Sequence, residues 1–480
     1  MKRQHPIAIL RYTSRNFWLL IIPLIRGLRF YGYDFYGWIR GAYIDIIVVI
    51  VIFTAAFLRW YNIKYSISKK GIKFKKGIFF KSRSFISFSA LSVVKYGEYL
   101  HLKPFKAVVI NFNTDINKTW NNNSECDVKL IVYVTEWKRI LNKITIDKSD
   151  TEYIYKPSRK SLMLFALYFS STFSGLIFFS ALILNGGKLV AEEIENRFVS
   201  AVNNITMIAE KIISGLSPFS VAVVIIIAGG WLISFIKNYV RHINFKTERC
   251  KKSFIVENGF FSRRRYFINI EKINCIDLRQ NLLMKIFKLM SVHVSSIGYG
   301  RGNEIPLVIP VTHKKDIVSN MKILLPEITV NETEIHPHRK YLMSFVFLPT
   351  VFIYTVIAAS LIVTMFFPEW YKVIFFASAM TEIFLLYFYF ARLAEYFTNG
   401  IGFNRKILTM KYRKFFQFHY IMIPYDKITA VMIKQNVIQK RKTMCDFIVY
   451  ERNKTIGAHK VKNVNITELI RMMKNTGILL

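Results

Sequence analysis

Six apolar runs, arriving two at a time, alternate along this chain with stretches in which apolar and polar residues trade places every second position. The runs are Phe17–Leu28, Ala42–Trp60, Leu162–Leu184, Phe219–Ile236, Tyr341–Met365 and Val373–Ala391. A helix rises 1.5 Å per residue, so about 20 apolar residues cross a bilayer. Leu162–Leu184 and Tyr341–Met365 carry no charge. The pattern predicts an integral membrane protein with six transmembrane helices in three pairs. Between the pairs, period-two stretches such as YNIKYSISKKGIKF read as half-buried strands, with Gly71 and Gly77 at turn positions. Further strands are expected at Val128–Val134, Phe254–Val256, Tyr266–Ile270 and Val292–Ser296. Each β stretch ends in a helical pattern. One helix covers Trp137–Ile144. A second is capped by Thr312, with Ile317, Met321 and Leu324 on one face, and is stopped by Pro326. A third is capped by Asn465, with Ile466, Leu469, Ile470 and Met473 along one stripe. The boundaries are 1–61 for transmembrane pair 1, 62–150 for the first β domain, 155–241 for pair 2 with an outside loop at 186–214, 242–330 for the second domain, 335–394 for pair 3 and 395–480 for the third domain. All three domains are expected to be all-β and closed by a C-terminal helix.

The β stretches repeat. Sliding Gly259–Ser296 back until Gly259 meets Gly77 places Phe261, Ile268, Lys285, Phe287 and Lys288 on Phe79, Ile86, Lys103, Phe105 and Lys106 without a gap. Sliding the same segment forward onto Lys414 places Phe261, Ile268, Lys272, Ile273, Gln280, Asn281 and Lys285 on Phe416, Ile423, Lys427, Ile428, Gln435, Asn436 and Lys440. Self-similarity at a fixed offset is the signature of a repeated structural unit.

Composition sharpens the membrane reading. The chain is 52% hydrophobic and 16% aromatic, yet carries a net charge of +38. Those populations coexist when apolar helices and basic domains are separated along the chain. An even number of crossings before each domain puts all three domains and both termini on one side, and their Lys and Arg excess makes that side the cytoplasm. The loop at 186–214, with Glu192, Glu193, Glu195 and Glu210, then lies outside. The opening MKRQHPIAILRYTSRNFW lacks a small-residue cleavage site and does not read as a removed signal peptide. A multi-pass arrangement is expected, and no nucleic-acid partner.

The pattern GFFSRRRYFINIEKINCIDLRQNLLMKIFKLMSVHV, from Gly259 to Val294, resembles the bacterial pleckstrin-homology-like (bPH2, DUF304) membrane proteins of the YdbS/YdbT-like family. The three-copy layout resembles its longer, YdbT-like members. HPIAIL at His5, YKPSRK at Tyr155 and HPHRKY at His336 each stand just ahead of a helical pair. The first copy has Lys81, Ser82 and Arg83 where the middle copy has its arginines, and Pro104 in place of Ile286. The third has Lys414 for the glycine and Gln417, Phe418 and His419 where SRR is expected. The resemblance implies a seven-stranded PH-like sheet sandwich closed by a C-terminal helix, a bacterial plasma-membrane location, no established catalytic residue, and a role in resistance to antimicrobial peptides, including bacteriocin immunity. It names as partners an antimicrobial peptide, an ABC exporter or a smaller PH-domain membrane protein.

Two residue sets carry candidate chemistry. Arg26, Asp45 and Glu382 are ionisable groups within segments of hydrocarbon depth: a buried ion pair that fixes the helices, part of a path for a peptide, ion or proton, or, with the first boundary misplaced, a set in which Arg26 lies in water. Arg263, Arg264, Arg265, Lys285 and Lys288 form a basic cluster able to hold anionic membrane lipid at about 1 kcal/mol per charge, or else a solvated rim. Cys126, Cys250, Cys275 and Cys445 lack metal-ligand spacing, so no metal and no cofactor is expected. The absence of HExxH, GxSxG, Walker and glycine-rich fingerprints argues against an enzyme. The main reading is peptide resistance; the alternatives are a lipid- or protein-binding membrane scaffold, and a transporter or accessory subunit of an exporter.

Overall fold

The computed structural model describes residues 1–14, 43–77, 81–114, 128–143, 151–170, 196–197, 199–201, 203–208, 218–299, 306–327, 333–337, 341–404, 406–414, 416–452 and 457–476. Arg26, the predicted span Phe17–Leu28, most of Leu162–Leu184 and much of the loop 186–214 lie outside those residues. The first module contains β1 (Lys2–Arg3), β2 (Lys64–Ile67), β3 (Gly71–Lys76), β4 (Ser82–Ser87), β5 (Leu91–Glu98), β6 (Ala107–Thr114), β7 (Val128–Tyr133) and a helix at Val134–Lys143. After β8 (Thr151–Tyr155), the middle module contains β9 (Lys246–Cys250), β10 (Ser253–Asn258), β11 (Arg263–Asn269), β12 (Ile273–Asn281), β13 (Leu289–Ser296), β14 (Leu307–His313) and the helix Lys314–Leu324. The third contains β15 (Gly400–Phe403), β16 (Ile407–Lys414), β17 (Gln417–Pro424), β18 (Ile428–Lys434), β19 (Met444–Glu451), β20 (Gly457–Asn465) and the helix Ile466–Asn475.

The expectation of six transmembrane helices in three pairs is overturned. Among the described residues, two helices are long and apolar enough to cross a membrane, Leu342–Phe366 and Pro368–Thr398. Among the described residues, only the third predicted pair therefore qualifies. The reason lies in what a hydropathy reading sees, which is composition and not where a helix begins and ends: among the described residues the second run contributes the shorter apolar helix Ile46–Asn62, and the expected outer loop the short apolar helix Val199–Ile208. The three β modules are not closed by hydrogen bonds either. Among the described residues every sheet is open, in the orders β1-β2-β3-β4, β7-β6-β5-β11-β10-β9-β8, β14-β13-β12-β17-β16-β15 and β18-β19-β20.

Those orders show sheets shared between consecutive modules. A module supplies two three-stranded halves, and the second half of one module pairs with the first half of the next. β11 runs antiparallel to β5, with Phe267 opposite Val94 and Arg265 opposite Tyr96. β17 runs antiparallel to β12, with Met422 opposite Ile276 and His419 opposite Arg279. Accordingly the chain divides into two compact units, one holding Met1–Ile154, Glu248–Ile273 and Ser296–Glu304, the other holding Tyr155–Thr247, Asn274–Ser295 and Ile305–Leu480. The middle module contributes to both.

Each unit has its own apolar core. In the first, Tyr65, Val94, Tyr96, Ile110 and Phe112 pack with Ile255 and Phe267 from the middle module. Trp137 and Ile140, one turn apart on the helix Val134–Lys143, complete that core. The Trp137 ring lies 5.0 Å from Tyr96 and 5.8 Å from Phe267, so one indole bridges both modules. In the second unit, Cys275 joins Ile401, Met410, Ile421, Ile423, Phe447, Leu469 and Met473. The expected faces of the later helices are present: Ile317, Met321 and Leu324 are buried, as are Leu469 and Met473. Asn465 caps its helix by accepting from the Thr467 amide, whereas the cap before Lys314 is His313, one residue after the expected Thr312.

Truncating a large buried aromatic costs about 3–5 kcal/mol, while exposed positions change stability by about 0.5 kcal/mol or less. Trp137→Ala should therefore lower the melting temperature of the detergent-solubilised chain by several degrees, and Phe261→Ala, at an exposed side chain, should leave it unchanged. Equal melting of the two variants in differential scanning fluorimetry would contradict this core.

Candidate functional site

The repeated residues turn out to be residues the fold requires. Gly77 and Gly259 sit at φ 112° and 106°, where a side chain is strained, and a Cβ at Gly259 would meet the Ser262 carbonyl oxygen at 2.1 Å. Lys106, Lys288 and Thr443 stand at one repeat position and share left-handed φ values of 50°, 54° and 55°. The Gln-Asn pair, present in the middle and third copies, has two jobs. Gln280 and Gln435 donate across the loop to the carbonyls of Leu289 and Met444, each at 2.6 Å. Asn281 and Asn436 cap the short helices that follow, accepting from Met284 and Gln439 at 2.7 Å. In the first copy Glu98 and Tyr99 replace that pair, and a 3-10 turn containing Pro104 replaces the helix.

Consecutive strand residues point to opposite faces, so Arg263, Arg264 and Arg265 on β11 divide between the two sides of their sheet. Arg263 lies opposite Glu98. Arg265 pairs with Glu257 at 3.0 Å, and the Arg264 guanidinium lies 6.0 Å from the Tyr99 ring. Lys285 and Lys288 belong to the other compact unit. The Lys285 ammonium donates to the Ala394 carbonyl at 3.4 Å and lies 4.7 Å from the Phe418 ring. Burial, helped by the nearby charge of Lys411, pushes its pKa down to about 8. Lys288 occupies the left-handed turn.

Of the charges expected at hydrocarbon depth, Asp45 lies in the helix Tyr43–Asn62, and Glu382 lies in the second helix of the apolar hairpin. The Glu382 Oε1 atom is buried with no hydrogen-bond partner among the described residues. A charge that the sequence reading passed over does more visible work. Glu395, just beyond the predicted end of the span at Ala391, is buried and accepts from Arg392 Nη1 and Arg413 Nε, each at 2.7 Å. Arg392 also donates to the Phe345 carbonyl at 3.1 Å. One carboxylate thus ties both hairpin helices to β16. Around it, Tyr341 donates to the Lys442 carbonyl at 3.1 Å and Asn463 to Ser344 Oγ at 3.3 Å. Phe416 packs against Phe384, Tyr387 and Phe388 at 5.6, 5.7 and 6.2 Å. The signal available in sequence was an Arg and a Glu three apart at the foot of an apolar helix.

The same unit encloses a polar network. Burial alone would raise the Asp277 carboxyl, but the charges of His419 and Arg279 hold it well below the usual carboxylate range. His419 Nδ1 lies 2.9 Å and Arg279 Nε 2.6 Å from Asp277 Oδ2. The Tyr412 ring stacks on His419 at 5.2 Å, and its hydroxyl meets His459 Nδ1 at 2.8 Å. Cys275, Glu451 and His459 bring a sulfur, a carboxylate and an imidazole within 4.8 Å of one another, a set with metal-ligand chemistry. Burial and the Glu451 charge push the Cys275 thiol well up, so it stays protonated, and Ser295 already donates to Glu451 at 2.9 Å. Binding a metal there requires that thiol to lose its proton first.

The Glu395 cluster gives a direct test. Removing the carboxylate leaves two guanidinium groups facing one another in a buried site, at a cost of about 3–5 kcal/mol. Glu395→Ala should lower the melting temperature in detergent by several degrees or deplete the chain from membranes, whereas Glu369→Ala at the exposed hairpin turn should do neither. Wild-type stability in Glu395→Ala would remove the cluster from its anchoring role.

Residues 17–130, 198–321 and 344–475 each match the bacterial PH domain family, bPH_2. The UPF0699 transmembrane protein YdbT of Bacillus subtilis (strain 168) is 21% identical over 390 residues, a stretch covering 73% of this chain and 74% of that protein. No solved structure matches the chain. Domains of this family are typically non-catalytic scaffolds, and the chain is not an enzyme. With three matched stretches covering most of its length and a YdbT relative spanning nearly three quarters of it, the chain belongs to the bacterial PH domain family as a YdbT-like protein of repeated PH-like units.

Proposed function

We propose that this protein is a membrane-anchored scaffold, held in the plasma membrane by the hairpin Leu342–Thr398 with its PH-like modules on the cytoplasmic side. The observation that carries the reading is the surface of that hairpin. Phe347, Tyr354, Met365, Phe366 and Phe375 are all more than 60% exposed, and a contiguous apolar surface of this extent needs a cover. The first helix alone, 25 residues, is about 37 Å long at the standard rise, enough for a hydrocarbon core of about 30 Å. Trp370 and Tyr371 at the turn suit one interface, and Arg392 with the Glu395 cluster suits the other.

The side follows from charge. Arg339, Lys340, Arg392 and Lys406 flank the hairpin's open end, against a single Lys372 near its tip, which favours the cytoplasm for the modules. Arg263 and Lys288, each exposed on its own unit, are then basic groups available to anionic lipid. Protection against an antimicrobial peptide draws on the family resemblance alone, so the scaffold reading is preferred.

Alkaline carbonate extraction of membranes from cells expressing the full chain provides the test. The chain should remain in the pellet and be released only by detergent; release by carbonate alone would rule out a spanning hairpin.

A further inference from the structure

Among the described residues, two strand edges lack the partner that their repeats possess. In the middle and third modules, β11 and β17 pair on one side with the preceding strand of their own module and on the other with β5 and β12 of the module before. The matching strand of the first module is β4, which ends its sheet; the matching strand of the third module on the other side is β18, which ends another. Among the described residues, one copy of each half of a contact that the chain makes twice internally is therefore left unused.

The burial of equivalent residues follows the same division. Phe267 and Met422, which face Val94 and Ile276 across the shared sheets, are 2% and 0% exposed. Phe85, at the same repeat position on β4, is 52% exposed. Every residue of β5 but the last is buried, and so are the first six of β12, whereas no residue of β18 is, and Met432 is 47% exposed. Val431 and Ile433 on β18 still face the core of their own unit. An apolar edge of this kind is a template for another strand.

We infer that copies of this chain join head to tail, β18 of one copy pairing antiparallel with β4 of the next. The two internal contacts set the register. Arg264 faces Gly97 and His419 faces Arg279; Arg264 and His419 are repeats of one position, as are Gly97 and Arg279. Carried to the free edges, that register puts Lys434 opposite Ser82, Met432 opposite Ser84 and Val431 opposite Phe85. It also puts Arg83 opposite Ile433, so no like charges meet. Phe85 then covers Val431 as Phe267 covers Val94. The contact joins different surfaces of identical copies, so it is heterologous and builds rows or rings instead of closed two-fold dimers. It is independent of the membrane reading.

Cysteine cross-linking tests the register. Two differently tagged full-length chains, both carrying Cys126→Ser and keeping the three buried cysteines, are co-expressed, one with Met432→Cys and the other with Ser84→Cys, and oxidised in their membranes. A disulfide-linked dimer bearing both tags is expected, and moving the second cysteine to Arg83→Cys, on the opposite face of β4, should lose it. Absence of the mixed dimer, or equal yield from the two positions, would overturn the register. Sedimentation of the wild-type chain in detergent is the second measurement. It should show concentration-dependent dimers and larger species that Phe85→Lys removes; a wild-type chain that stays monomeric throughout would overturn the assembly.

Discussion

The structure depends on a simple obligation: a strand that buries its face must also have its backbone donors and acceptors paired along both edges. A module of this chain supplies two half-sheets, and each has an edge that its own module leaves bare. Consecutive modules meet the obligation for one another, β5 with β11 and β12 with β17. Burial follows the backbone pairing. Phe267 and Ile255 fill a core whose other walls come from the first module, sealed by Trp137. A repeat protein usually gains stability from nearest-neighbour interfaces; here those interfaces are continuous hydrogen-bonded ladders.

A second constraint acts where the apolar hairpin meets the third module. Helices whose sides carry exposed Phe, Met and Tyr cannot be located by water-excluding packing along their length, so their position is set at the base. There Glu395 gathers two arginines from separate elements, Arg392 on the helix and Arg413 on β16. Buried charges hold geometry only when mutually compensated, and this cluster is. The network of Asp277, His419 and Arg279 gathers a buried carboxylate, a guanidinium on its own strand and an imidazole across the β12–β17 ladder.

Much of this was legible in the amino-acid order, and the failures have physical causes. The repeat was visible in Gly77 and Gly259, and in the recurring Gln-Asn pair, because a positive φ and a helix cap admit few residue types. Alternation located many of the strands, and the stripes Ile317-Met321-Leu324 and Leu469-Met473 marked the helix faces. Alternation cannot say which strand lies beside which, so the sharing of sheets between modules was invisible. Hydropathy counted six crossings where two helices qualify among the described residues, because it scores composition and not where a helix begins and ends. Among the candidate residues, Lys288 proved to be a turn residue and Arg265 an ion-pair partner of Glu257, while Glu395 was missed because it stood just past the apolar run. Spacing also gave no hint of the Cys275, Glu451 and His459 cluster, since its members come from β12, β19 and β20.

The measurement that bears most directly on the shared sheet is amide hydrogen exchange on the full chain, read by mass spectrometry. Phe267→Pro removes a ladder donor and a core side chain from β11 at once. If the modules share one sheet, the amides of Leu91–Glu98, far away in the sequence, should exchange much faster in that variant, while those of β18 and β19 stay as they were. Unchanged protection of Leu91–Glu98 would mean that β5 does not depend on β11, and the account of modules completing one another would fail.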